Sequence, residues 1–234
     1  TGHLLHTNGL TTLEAGALVS ANLGAATLLV TGNSTLQGTA SATTLLVSTG
    51  RLTLDGDGLL AGAPQVTVNS AGTLALGGDE TVGALTLAGT LDGTGTLTAP
   101  NVYFAGGRAN ANLGGGAISV TGGGTLAGTA SANSIVVNTG TFTLEGDARL
   151  PAASAVTVGA LGTLQLGGDQ ALGTLQGSGR VELGTHTLST GLGGDAVFGG
   201  VISGDGALLK EGLSVFTLSG PNSYTGTTQV ANRA

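Results

Sequence analysis

The sequence predicts an all-β fold, a right-handed parallel β-helix (solenoid) of about 11–12 coils. Three observations predict it: abundant glycine, short alternations of apolar residues with threonine, and an internal repeat of about 20 residues. Glycine accounts for 46 of the 234 residues, about three times its average usage. Because each glycine costs a helix about 1 kcal/mol, long helices are disfavoured.

Short alternations of leucine or valine with threonine predict the strands. A period of two places the aliphatic side chains on one face and threonine on the other, with Gly, Asn and Asp supplying the turns between strands. The clearest alternations occur at residues 28–30, 45–47, 52–54, 66–68, 73–76 and 85–87.

A duplication organises the chain. Residues 28–85 realign on residues 118–175 at a constant offset without a gap, as VTVNSAGTLALGGD and VTVGALGTLQLGGD illustrate. Within each copy the apolar runs recur about every 20 residues, which is one coil of a parallel β-helix. Stacked coils then place Leu on Leu and Val on Val in an inner column. A β-sandwich also needs many short strands, but it has no reason to repeat at this interval.

The apolar runs that mark successive coils have recognisable first residues. In the first copy they are Leu28, Leu45, Val66 and Leu85, and in the second Ile118, Ile135, Val156 and Leu175.

Composition excludes several classes of protein. The chain has 13 acidic and 6 basic residues, a net charge of −7, and no cysteine. This charge disfavours nucleic acid as a partner, and the lack of cysteine excludes disulfides, cysteine metal ligands and a thiol nucleophile. No apolar run approaches the ~18 residues of a membrane span, so no membrane insertion of this segment is predicted.

The end of the sequence, residues 198–230, reads FGGVISGDGALLKEGLSVFTLSGPNSYTGTTQV. It resembles the passenger-associated transport repeat of bacterial autotransporters, with the spacing of that motif preserved. Ser214, Pro221 and Thr227 depart from the family pattern. The matching residues are Phe198, Gly200, Ile202, Gly204, Gly206, Leu208, Lys210, Gly212, Phe216, Leu218, Gly220, Asn222, Tyr224, Gly226 and Val230.

This resemblance implies a β-helical passenger that Gram-negative bacteria export through the periplasm and the outer membrane to the cell surface or the medium. It also implies a C-terminal outer-membrane barrel in the same polypeptide. Residues 1–234 are then expected to be one β-helical segment of a longer passenger. The absence of cysteine agrees with this expectation, because disulfides formed in the periplasm would obstruct threading.

Matched acidic residues are the first candidates for chemistry. Paired carboxylates can hydrolyse glycosides or bind Ca²⁺. However, aspartate before glycine is also a common turn, and a duplicated position indicates architecture. We therefore predict no catalytic residue, no metal site and no cofactor, with a weak cation site as the alternative. The matched acids are Asp55, Asp57 and Asp79 in the first copy and Glu145, Asp147 and Asp169 in the second.

Two further groups of residues are candidate sites. His3, His6 and His186 are predicted to be solvated rather than catalytic. Tyr103, Phe104 and Arg108 belong to a segment without a counterpart in the second copy. Unduplicated insertions in solenoids often form loops on the binding face, so these three residues are a candidate binding loop, with core packing or capping as the alternative.

The expected function is a rigid β-helical stalk with an adhesive surface and no catalysis. Its partners would be molecules of the host or of neighbouring cells, or other copies of the chain, bound through uncovered coil ends or through flat Thr/Ser/Asn faces. Three alternatives stay open: the spine of a larger secreted enzyme or toxin, a polysaccharide-cleaving β-helix, and a rod exported by two-partner secretion.

Overall fold

A computed structural model describes residues 4–7, 9–24 and 26–231. These residues contain strands and no helix, and they form a β-solenoid of about 12 turns, which confirms the predicted fold class and coil number. The chain divides into two compact units, Thr1–Gly116 and Ala117–Ala234. Each unit contains one copy of the duplicated sequence.

The strands are short because each covers one side of a turn. In unit 1 they are β1 (Leu4–Thr7), β2 (Leu10–Leu13), β3 (Ala17–Val19), β4 (Thr27–Val30), β5 (Ser34–Leu36), β6 (Thr44–Leu54), β7 (Gln65–Leu76), β8 (Glu80–Thr81), β9 (Ala84–Leu87), β10 (Thr90–Gly93), β11 (Thr96–Thr98), β12 (Asn101–Phe104), β13 (Arg108–Ala109) and β14 (Asn112–Gly114). In unit 2 they are β15 (Ala117–Val120), β16 (Gly124–Leu126), β17 (Ser134–Leu144), β18 (Ala155–Leu166), β19 (Gln170–Leu172), β20 (Thr174–Gly177), β21 (Arg180–Glu182), β22 (Thr187–Thr190), β23 (Ala196–Phe198), β24 (Val201–Ser203), β25 (Ala207–Glu211), β26 (Phe216–Leu218) and β27 (Thr228–Ala231).

Parallel pairing arranges these strands in three stacks within each unit. In unit 1 the first stack contains β2, β4, β9 and β12, the second contains β3, β5, β10 and β13, and the third contains β8, β11 and β14. The long strands β6 and β7 bend, and they contribute their first halves to the first stack and their second halves to the second.

Unit 2 has the same arrangement. Its first stack contains β15, β20, β23 and β26, and its second contains β16, β21 and β24. The long strands β17 and β18 again join both stacks. The third stack contains β19, β22, β25 and β27.

The core of each unit consists of inward columns of like side chains. Leu28, Leu45, Val66 and Leu85 lie in direct register, and none is more than 2% exposed. The second copy repeats the column with Ile118, Ile135, Val156 and Leu175, each at most 1% exposed. The residues identified as the starts of coils are therefore vertical neighbours, about 4.8 Å apart.

The first strand pair departs from the parallel pattern. Strand β1 runs antiparallel to β2, with Thr7 opposite Leu10. In β2 the inward residues Thr11 and Leu13 are 1% and 0% exposed. The edge of β2 is therefore paired, whereas the sequence led us to expect an uncovered coil end at this point.

Candidate functional site

Residues 198–230, the motif whose spacing resembles a transport repeat, fold into two successive turns of unit 2. Phe198 of β23 is the register partner of Leu218 in β26, and Lys210 of β25 is the partner of Val230 in β27. The residues of the motif therefore stack on one another as well as following in sequence. Phe198 and Ile202 are both fully buried and contribute to the core.

The motif glycines lie where one turn passes closely over the next. A Cβ at Gly200 would overlap the carbonyl oxygen of Gly179, and a Cβ at Gly220 would overlap that of Gly200. Gly206 and Gly226 meet the same restriction further along these turns. Any larger residue would force the turns apart at this corner. Gly204 is restricted twice, because a Cβ would crowd the backbone of Gly184 and because its φ of +109° is a conformation that L-residues rarely adopt.

Lys210 is the charged residue among the positions that match the family pattern, and it is only 8% exposed. Its ammonium group donates hydrogen bonds to the carbonyl oxygens of Glu211 and Gly212. These bonds compensate the cost of burying a charge and hold the corner that follows β25. The inward column contains Thr190 directly before Lys210, and the buried Thr190 hydroxyl forms no hydrogen bond.

Asn222 and Tyr224 hold the second turn of the motif. The Asn222 side chain accepts the N–H of Ile202 at 2.9 Å and donates to the carbonyl of Gly220 at 3.1 Å. The Tyr224 hydroxyl lies 2.6 Å from the Thr228 hydroxyl. Among the residues that the structure describes, these polar contacts of Asn222 and Tyr224 join parts of the turns themselves.

The matched aspartates form the same backbone contacts in both copies. Asp79 accepts the N–H of Thr96 at 2.7 Å and donates its own N–H to Asp57 at 2.7 Å. In unit 2, Asp169 accepts the N–H of Thr187 at 2.7 Å and donates to Asp147 at 2.8 Å. Each carboxylate therefore satisfies an amide of the next turn, which is the architectural role that the duplication indicated.

The other predicted polar residues are dispersed. Asp55 accepts a hydrogen bond from Gln37 at 2.9 Å, and Nδ1 of His186 lies 3.9 Å from Asp169. His3 lies outside the described residues, and the side chain of His6 is not described either. Within the described part of the chain, no three His, Cys, Asp or Glu residues are grouped to hold a metal ion.

The predicted binding loop at Tyr103, Phe104 and Arg108 consists of two strands rather than a loop. Tyr103 and Phe104 lie in β12, and Arg108 begins β13. Phe104 is fully buried in the inward column, whereas Tyr103 is 41% exposed. The Arg108 side chain donates to Asn110 at 2.7 Å. This segment keeps the strand alternation, so Phe104 packs in the core as in the alternative, whereas binding by the exposed Tyr103 stays a prediction.

An ion pair crosses three turns of unit 1. Arg51 and Asp92 form a hydrogen-bonded salt bridge of 2.9 Å. Ala75 lies directly before Asp92 in the same outward column. Although the Ala75 side chain points outward, it is only 2% exposed. The hydrogen bond from Arg51 has the largest effect on the Asp92 carboxyl and holds its pKa below the ordinary value.

Sequence reasoning missed Glu80, which is only 2% exposed. Its carboxylate accepts the N–H groups of Leu59 at 2.8 Å and Leu60 at 3.0 Å. Burial raises the pKa of Glu80, although the two N–H groups partly oppose the shift. The second copy has Gln170 at this position, which accepts the N–H of Arg149 at 3.0 Å. The Glu/Gln exchange at a matched position was the available signal.

We expect Glu80→Gln to remove a pH dependence of the stability of unit 1. Because the folded-state pKa lies above the ordinary value of 4.5, the contribution of Glu80 is full below pH 4.5 and declines as pH rises through the folded pKa. Urea midpoints measured between pH 4.5 and 7 should therefore fall with pH in the parent and stay flatter in the variant. An equal slope in both proteins would contradict the assignment to Glu80.

A second feature missed from the sequence is an apolar corner in unit 2. Between β19 and β20, the connection from the third stack to the first is the single residue Gly173. The corresponding connections in the next two turns are longer and consist of residues 191–195 and 212–215. These longer corners expose Leu192 by 55% and Leu213 by 78%. The increased spacing between strands was the available signal.

Among the described residues, no helix is long and apolar enough to cross a membrane. No protein-family model, curated protein or solved structure matches this chain. The resemblance of residues 198–230 to a transport repeat therefore depends on their own sequence pattern.

Proposed function

We propose that this chain is a segment of an autotransporter passenger that forms a rigid, surface-displayed stalk with an adhesive surface and no catalysis. The observation that carries the proposal is the agreement between motif and turn: residues 198–230 carry the spacing of a transport repeat and fold as two stacked turns. The glycine, asparagine and lysine positions of the motif all hold those turns together. The chain would act outside a Gram-negative cell after export through the periplasm and the outer membrane.

The lateral faces support an adhesive role because they carry ladders of polar side chains. Gln37 bridges Ser20 at 2.8 Å and Asp55 at 2.9 Å. In unit 2, Gln176 donates to Thr157 at 3.1 Å. Flat arrays of this kind bind through many weak contacts whose strength comes from avidity. The partners would be surface molecules of host or neighbouring cells, or other copies of the chain.

The aspartates that a polysaccharide-cleaving β-helix would use already have structural partners. Asp57, Asp79, Asp147 and Asp169 each accept a backbone N–H of the following turn. This arrangement favours the stalk over that alternative.

Removing one turn of the motif should impair folding more than removing one turn elsewhere. Residues 199–218 can be excised in register because Phe198 and Leu218 are partners, and residues 48–68 likewise because Val47 and Val68 are partners. Stability in repeat proteins propagates between neighbours, so a motif that nucleates folding has the larger effect. The measurement is the amount of protease-resistant chain on cells that display each variant. Equal losses would remove the special role of the motif.

The adhesive role is tested by displaying the whole chain on a Gram-negative bacterium through a heterologous outer-membrane exporter. Cells that display the chain should settle together or attach to host cells more than cells with the exporter alone. If the displayed chain is folded and the two cell populations behave alike, the adhesive part of the proposal is wrong.

A further inference from the structure

Unit 2 has an open cavity of about 470 Å³ on the outer surface of its first stack. Two exposed valines border it, Val197 at 56% and Val215 at 61% exposure. The outward column of Val197 carries the polar residues Thr157 and Gln176 in the two preceding turns. The lining residues are Gln176, Asp195, Ala196, Val197, Val215 and Thr217.

The lengthened corners that supply Asp195 and Val215 to the cavity also carry exposed leucines. Leu192 and Leu213 lie in the same two corners as Asp195 and Val215, and both leucines are more than half exposed. Several exposed large apolar side chains in one region of a protein surface are a mark of an interaction site. Insertions on one face of a solenoid often mark the face that binds.

Asp195 gives the cavity its charge. One carboxylate oxygen accepts the N–H of Val215 at 2.8 Å, which fixes the side chain. Within the described residues no ion pair with a basic group is found for Asp195, unlike Asp92, which pairs with Arg51, and Asp169, which lies beside His186. The carboxylate therefore keeps a free oxygen and an uncompensated negative charge next to two valines.

We propose that this cavity binds a lysine or arginine side chain presented by an extended, apolar and basic segment of a partner protein. The aliphatic stem of such a residue packs on Val197 and Val215 while its cationic group pairs with Asp195. Gln176 and Thr217 add acceptor oxygens. The net charge of −7 attracts basic partners over long range and disfavours a second copy of the chain. The inference names a partner class for the proposed adhesive surface, and its biological meaning rests on that function.

The test uses the purified 234-residue chain and the dye-labelled peptide acetyl-(Lys-Val)4-amide, with binding followed by fluorescence anisotropy. We expect binding that weakens with salt, and Asp195→Asn should reduce the affinity about 10-fold or more because a charged hydrogen bond is lost. The amide keeps an oxygen for the Val215 N–H, so the fold should persist, which the thermal midpoint verifies. Val215→Thr should weaken binding several-fold through lost apolar contact.

Asp169→Asn is the matched control. Asp169 also accepts a backbone N–H, that of Thr187 at 2.7 Å, but it does not line this cavity. Its substitution should leave peptide affinity unchanged.

The inference would be overturned if acetyl-(Glu-Val)4-amide bound as tightly, or if Asp195→Asn and Asp169→Asn had equal effects. Displacement of the peptide by maltose at similar concentration would overturn it too, in favour of a glycan site. These outcomes are separate from the proposed function. If the unmodified chain does not bind the peptide but cells that display it still adhere, only this inference is wrong. If the chain binds the peptide but the cells do not adhere, only the adhesive role is wrong.

Discussion

Leu74→Ala is expected to lower the free energy of unfolding by about 2–5 kcal/mol. Leu74 is fully buried, and it lies between Leu52 and Leu91 in the inward column. The lost side chain leaves a cavity bordered by leucines above and below, and the stacked turns cannot close it without breaking their register. Urea unfolding followed by circular dichroism measures the loss. Leu164→Ala, in the matched column of unit 2, should behave alike because Leu164 is also fully buried.

Thr67→Ala is the control for this prediction. Thr67 lies in β7 between the buried residues Val66 and Val68, and its side chain points outward and is only half-buried. Its substitution should cost less than about 1 kcal/mol. Similar losses for Leu74→Ala and Thr67→Ala would contradict the assignment of inner and outer faces.

Gly200→Ala should destabilise unit 2 by about 1–3 kcal/mol through overpacking. The added methyl group would overlap the carbonyl oxygen of Gly179 in the turn below. That oxygen also accepts the N–H of Val201 at 3.0 Å, so the clash cannot be relieved without disturbing a hydrogen bond between turns. The thermal midpoint and the urea midpoint should both fall.

The neighbouring glycine gives a close comparison. A Cβ at Gly199 meets no atom nearer than the Ser219 hydroxyl at 3.4 Å, which is ordinary contact. Gly199→Ala should therefore change stability by less than about 0.5 kcal/mol. If both alanine variants are equally tolerated, the close approach of the turns at Gly200 does not constrain the motif.

Together these variants separate two demands that the fold makes on the sequence. The inward column needs large side chains that fill the core. The corner needs glycine, because no side chain fits between the two turns there. The motif at residues 198–230 contains both, since Phe198 is fully buried while Gly200, two residues later, admits no side chain. A spaced pattern of large residues and glycines is therefore what two stacked turns of this shape require.

The sequence by itself determined the strands, the period and the inner column. Alternation identifies which side chain of a strand points inward, and the repeat places Leu28 under Leu45 and Leu45 under Val66. The alternation and the repeat are both readable in the sequence because each turn packs nearly the same residues into the same inward positions. The duplicated aspartates could be recognised as architectural for the same reason.

Tertiary structure alone decided which unlike residues meet between turns. Glutamate is seldom fully buried, so only the stacking of turns reveals that the Glu80 carboxylate binds the amides of Leu59 and Leu60. The cavity at Asp195 arises similarly, because residues some 20 positions apart, Val197 and Val215 among them, come together across adjacent turns. Such contacts depend on register and corner length, which no single stretch of sequence records.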